Sequence, residues 1–188
     1  MAERGEKMGW KLKKTVVLVG MMGAGKTAVG KVLANKLGVP FLDSDAEIEQ
    51  AANMSVAEIF SRDGEAFFRD KESQVIERLL TNETCILSTG GGAFLAPHNR
   101  EMISDKGVSV WLDADVNLLW QRVKHKNTRP LLRTDNPFAT LNEIFNTRVP
   151  IYAKSDLSVA VQPTYSIEET RDYVIQSLIT RPDVLEAL

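Results

Sequence analysis

Three observations predict an α/β fold built on a mostly parallel sheet. A β-branched apolar run ends in a glycine loop, a helix opens directly from that loop, and short apolar runs then alternate with helical patterns to the end of the chain. Thr15-Val16-Val17-Leu18-Val19 is apolar enough for a central strand buried on both faces, and it stops at Gly20. From Lys26 to Leu37, Val29, Val32, Leu33 and Leu37 recur at helical spacing until Gly38 and Pro40 close the helix. Further strands are expected at Phe41-Leu42 before Asp43, at Cys85-Ile86-Leu87 before Ser88, at Val108–Leu112 before Asp113 and at Leu157–Val161. Helical patterns fill the intervals near 45–80, 97–106, 115–124, 138–152 and 166–180. Right-handed crossovers would place helices on both faces, a three-layer α/β/α arrangement of five strands. The polar interval from His125 to Pro137, with two prolines and the basic residues Lys126, Arg129 and Arg133, breaks the rhythm and is expected to be a mobile lid over about 124–137.

The 188 residues are about one domain's worth and can bury a core without a brace of disulfide or metal. A composition of 44% hydrophobic and 26% charged residues excludes a disordered or low-complexity chain. With 23 Lys and Arg against 25 Asp and Glu, no broad field would steer the molecule to nucleic acid or an anionic membrane, and a monomer is the simpler expectation. Cys85 is the single cysteine, which removes intrachain disulfides and thiolate zinc sites and suits a reducing, cytoplasmic compartment. Neither a leader's apolar region nor a membrane-length apolar run is present. Residues 1–13 and 181–188 lack a periodic apolar face and are expected to be loose tails flanking a domain over 14–180.

Gly20-Met21-Met22-Gly23-Ala24-Gly25-Lys26-Thr27 matches G-x-x-x-x-G-K-[ST] between the strand and helix its mechanism requires. Such a loop turns backbone N–H groups and a helix N-terminus toward phosphates, with Gly23, Ala24, Gly25 and Ala28 bordering them. Lys26 would bridge the β- and γ-phosphates of ATP, and the Thr27 hydroxyl would bind Mg²⁺. The bland alternative is a glycine-rich turn.

Asp43 and Asp45 follow the second strand, at the carboxyl edge of the sheet where ligands of such folds collect. Asp43 would lie near the Mg²⁺ shell and Asp45 would accept a proton from a substrate hydroxyl. Equally, Asp45 fits a helix cap before Ala46. Gly90-Gly91-Gly92 destabilises any regular element and suggests close approach of a ligand, against a plain turn that needs fewer glycines. Arg69 and Arg148 offer bidentate forks for a small anion, although single arginines usually lie on the surface. Glu72, three residues after Arg69, stands where it would pair with it across one helical turn.

In order along the chain, the phosphate loop, Asp43-Ser44-Asp45, Asp63-Gly64-Glu65-Ala66-Phe67-Phe68-Arg69, Gly90-Gly91-Gly92, Arg129-Pro130-Leu131-Leu132, and Arg148 with Pro150 and Tyr152 together resemble the shikimate kinases. The likeness runs from about Thr15 to Thr180. It implies a P-loop NTPase fold like that of the nucleoside monophosphate kinases, with strand order 2-3-1-4-5. It also implies ATP- and Mg²⁺-dependent phosphorylation of the shikimate 3-hydroxyl on the way to chorismate. By the same resemblance Asp45 holds the ring hydroxyls and acts as base, Arg69 and Arg148 grip the carboxylate, and Gly90, Gly91 and Gly92 line the pocket. Phe60 and Phe68 form an apolar wall, Arg129 swings over the phosphates, Arg122 and Gln162 lie near adenine, and Asp43 approaches Mg²⁺ through water.

A gluconate-type or nucleoside monophosphate kinase on the same loop is the nearest rival, disfavoured by the glycine triplet, Asp43-Ser44-Asp45 and Phe68-Arg69. A nucleotide-binding module without turnover is a second, disfavoured by Lys26, Asp45 and Arg129 together.

Overall fold

The computed structural model describes residues 9–126 and 129–188. Its central sheet contains β2 (Thr15–Val19), β3 (Phe41–Asp43), β4 (Ile86–Ser88), β5 (Gly107–Ala114) and β6 (Leu157–Val161), after a short β1 (Trp10–Leu12) that lies outside it. All neighbouring strands are parallel, in the order β3-β4-β2-β5-β6. Numbered within the sheet this is 2-3-1-4-5, as expected. Every residue of β2 is buried, which is why its sequence shows no alternation.

The helices are α1 (Lys26–Leu37), α2 (Ser44–Ala52), α3 (Val56–Asp63), α4 (Glu65–Asn82), α5 (Pro97–Lys106), α6 (Val116–Val123), α7 (Pro137–Tyr152) and α8 (Ile167–Leu178). α1 packs against α8, and α4 against α5, so that two helical layers enclose the sheet. Gly38 ends α1 in the left-handed conformation at φ 68°, its N–H reaching the carbonyls of Ala34 and Asn35.

Two expectations need correction. The helical pattern over 45–80 is three helices. Asn53, at φ 51°, ends α2, and Ser55 opens α3 with a reciprocal capping box to Glu58. Gly64 then separates α3 from α4. The ends of the chain are also not loose over their described parts: β1 pairs antiparallel with β7 (Leu185–Ala187). Val184 and Leu185 are buried there, and Lys13 and Lys14 form ion pairs with Glu186 and Asp183. Apolar side chains at both ends exclude water by covering each other, which neither end shows by itself.

Of the expected lid, residues 127–128 lie outside the described residues. Pro130–Leu132 forms a single 3-10 turn that buries Leu132.

Candidate active site

β2 delivers the chain to a loop in which Gly23 takes φ 81° and Gly25 φ 99°. At Gly23 a side chain would also come within 2.9 Å of the Val123 Cγ1, so glycine is required twice over. No side chain caps α1, whose first N–H groups therefore remain available to an anion. The Lys26 ammonium sits inside the loop, donating to the carbonyls of Gly20 at 2.7 Å and Met21 at 3.0 Å. Burial pushes its pKa down to about 8, assisted by the neighbouring Arg129 and Arg148 cations.

The loop forms one wall of a cavity of about 600 Å³ that also takes in Thr27, Ala28, Asp43, Asp45, Gly90 and Gly91. Arg122 and Arg129 lie on its rim, with Lys126. Arg122 Nη1 donates to the Gly23 carbonyl at 2.9 Å, which ties α6 to the phosphate loop. The Arg129 Nε is buried and has no hydrogen-bond partner among the described residues.

β3 ends at the two aspartates, and their tasks separate. Asp43 is the helix cap: its Oδ1 accepts from the Ala46 N–H at 3.1 Å. Asp45, in the first turn of α2, is thereby released from capping. Its Oδ1 is buried without a partner among the described residues. Burial raises its pKa above the ordinary carboxylate value, and Asp43 and Glu49 add to the rise, while Arg69 and Lys26 work against it.

After β4 each glycine of the triplet faces a different side chain. A Cβ on Gly90 would stand 3.0 Å from Asp45 Oδ1, and one on Gly91 would stand 2.9 Å from Arg148 Nη1. A Cβ on Gly92 would meet the Arg69 guanidinium. The glycines are thus what lets α2, α7 and α4 bring one carboxylate and two guanidiniums to a single turn.

Arg69 donates to Glu72 Oε1 at 2.8 Å, and Glu72 is only 1% exposed, so this pairing fixes the guanidinium from beneath. Tyr152, fully buried at the end of α7, donates its hydroxyl hydrogen to the Gly91 carbonyl at 2.6 Å. Phe60 and Phe68 face each other with ring centroids 4.7 Å apart, Phe68 buried and Phe60 partly open. The Arg69 guanidinium lies 5.3 Å from the Phe68 ring. Arg69 and Arg148 adjoin the glycine turn rather than line the large cavity, and Gly92, Phe60 and Phe68 likewise do not border it.

Gln162 departs from expectation: it is exposed and does not border the cavity. The wall after β6 is instead supplied by Val161, Tyr165, Ser166, Ile167 and Thr170. The loop turns back through a Tyr165 N–H to Gln162 carbonyl bond, which brings Tyr165 inward and leaves the Gln162 side chain outside. The Ser166-Ile167-Glu168-Glu169 capping box marks this helix start in the sequence. Lys126 and Tyr152 are likewise site neighbours that sequence reasoning left without a role.

The family model described as shikimate kinase matches residues 22–179. A shikimate kinase from Ruegeria pomeroyi is 67% identical over 175 residues, covering 93% of this chain and 90% of the relative. One from Cereibacter sphaeroides is 60% identical over 184 residues, covering 98% and 92%. Among solved structures, the shikimate kinase from Acinetobacter baumannii in complex with shikimate is similar at a TM-score of 0.81 and 36% identity, over 89% of this chain and 93% of that one. A family model that takes in both the phosphate loop from Met22 and the arginine-bearing α7, together with relatives this similar over nearly the whole length, places the chain: it belongs to the shikimate kinase family.

Proposed function

We propose that the chain transfers the γ-phosphoryl group of ATP to the 3-hydroxyl of shikimate, with residues 14–180 as the catalytic unit and the segment near 124–137 as its lid. The observation that carries this reading is the convergence of Asp45, Arg148 and Arg69 on Gly90, Gly91 and Gly92 beside the phosphate loop. A polyhydroxy carboxylic acid needs both a carboxylate for its hydroxyls and arginine forks for its carboxyl group, a few ångströms apart.

In this reading Gly23, Gly25, Thr27 and Ala28 border the nucleotide phosphates, and Lys26 turns from the loop carbonyls to the β- and γ-phosphates. Arg129 brings its unpartnered Nε to the charge that grows on the transferring group. Asp45 orients the attacking hydroxyl and accepts its proton, and the raised pKa makes it a stronger base than an exposed aspartate. Arg69 and Arg148 hold the shikimate carboxylate, and Phe60 and Phe68 back the ring. Arg122 braces the loop under the nucleotide. Tyr165 and Ile167 replace Gln162 as the side chains toward the base.

Mg²⁺ would be held by the Thr27 hydroxyl and, through water, by Asp43, which uses only one carboxylate oxygen to cap α2. When bound, the ion screens the charge passing between the phosphates. Among the described residues no cluster of three or more His, Cys, Asp or Glu could hold a metal, in keeping with an ion carried largely by phosphate and water. No helix of the described residues is long and apolar enough to cross a membrane. We read the chain as a cytoplasmic monomer.

ADP release with ATP and Mg²⁺ tests the proposal when shikimate, gluconate and nucleoside monophosphates are offered in parallel. Turnover with shikimate alone is expected; preference for another acceptor would leave only the nucleotide site standing.

A further inference from the structure

The buried Tyr152 hydroxyl has no place in phosphoryl transfer as described above, yet it joins two parts of the acceptor site. It donates to the Gly91 carbonyl at 2.6 Å, and the Arg148 guanidinium, one turn earlier on α7, packs on the same glycine: a Cβ on Gly91 would stand 3.6 Å from the hydroxyl and 2.9 Å from Arg148 Nη1. The ring is fully buried, and Trp111 of β5 lies beside it with centroids 6.3 Å apart, so the hydroxyl has little freedom to leave this position. The peptide between Gly91 and Gly92 is trans. With its carbonyl held toward Tyr152, the Gly92 N–H must point the opposite way. One hydroxyl therefore sets the orientation of a backbone donor, and stands beside a guanidinium, in a turn that has no side chains of its own to stiffen it.

We infer that Tyr152 is a positioning residue for acceptor binding: its hydroxyl locks Arg148 and the Gly91–Gly92 peptide into one arrangement for the substrate carboxylate. This rests on the reading of Arg148 as part of the carboxylate clamp. A long arginine side chain left to itself samples many rotamers, and the Gly91 carbonyl would lose its buried partner. A substrate would then have to order both groups on binding, a cost that falls on the acceptor and not on the nucleotide. The wall of the nucleotide cavity does not include Tyr152.

Tyr152→Phe keeps the ring and removes only the donor and acceptor. Its expected result is a rise of about tenfold in the KM for shikimate, with the KM for ATP and kcat within about twofold of the parent. In an Arg148→Ala background the same change should raise the shikimate KM by clearly less than in the parent, because one of the two groups being positioned is gone. Unchanged shikimate KM in Tyr152→Phe, full additivity with Arg148→Ala, or a fall in Tm with both KM values displaced alike would each overturn the inference. The last would mark a hydroxyl that only supports the fold. Arg148→Ala alone separates the two levels: if it leaves the shikimate KM unchanged, the clamp reading itself fails, whereas a large effect there with none from Tyr152→Phe refutes only the positioning role.

Discussion

The Arg69 guanidinium lies against the Cα of Gly92, where a single methyl group would come within 2.7 Å of Nη1. The 2.8 Å ion pair with buried Glu72 tethers it there. Gly92→Ala must therefore displace the guanidinium or the turn. Losing a charge-assisted hydrogen bond costs about 1.5–3 kcal/mol, and the shikimate KM should rise by about tenfold or more. The KM for ATP should stay near the parent value. Initial-rate kinetics decide the matter, and an unchanged shikimate KM would remove Arg69 from the clamp.

Asp45→Asn should lower kcat by about a hundredfold or more while ATP binding persists, since a general base and its positioning are lost together. The same substitution should stabilise the free protein. The Asp45 pKa is raised in the folded state, first by burial, so the unfolded chain gives up that proton at lower pH. The stability Asp45 contributes is thus present in acid and lost as pH rises through the raised value. Thermal melts at neutral pH should show a higher Tm for Asp45→Asn, and that advantage should shrink as pH falls below the ordinary carboxylate range. A lower Tm at neutral pH would mean that Asp45 is well satisfied in the folded protein.

The strands and the phosphate loop were legible because each is written in a contiguous stretch, an apolar run, a glycine loop, a helix, whereas the order of the strands in the sheet came only from the family resemblance. The break of 45–80 into three helices was also written, in Ser55-Val56-Ala57-Glu58 and in Gly64, but apolar periodicity ran across it and hid the boundaries. Local chemistry could not decide which aspartate caps α2. Asp43 and Asp45 are both good caps, and only the exact start of the helix at Ser44 assigns the role to Asp43. Contacts such as Tyr152 with Gly91, or β1 with β7, join residues far apart in the chain and leave no local pattern. The exposure of the Gln162 side chain was hidden for a similar reason: it depends on how the loop after β6 turns, with the Tyr165 N–H closing onto the Gln162 carbonyl.

Lys26 gives a pH dependence of its own. Burial, with Arg129 and Arg148 nearby, brings its pKa to about 8 from 10.5. Between these values the unfolded chain binds more protons than the folded one, so stability should rise with pH across that window. Lys26→Met should abolish the rise and increase the Tm at pH 7, while reducing turnover severely through loss of the phosphate contact. For the parent enzyme kcat/KM for ATP should fall as pH passes about 8, because the free enzyme then loses the ammonium. A flat profile from pH 7 to 9.5 would show that Lys26 stays charged throughout.

The paired chain ends make the last prediction, and it separates stability from catalysis. Leu185 is 2% exposed, and its strand pairs with Trp10–Leu12 in a two-stranded sheet separate from the central one. Leu185→Ala leaves a cavity in a buried cluster, a change that costs about 2–3 kcal/mol. For a domain of this size the Tm should fall by roughly 4–12 °C. Because the brace is a sheet separate from the central one whose strand ends carry the site, kcat and both KM values at 25 °C should match the parent. Differential scanning calorimetry alongside kinetics tests both halves. A shift in either KM would mean that the clasp reaches the site through α1, against which β1 packs.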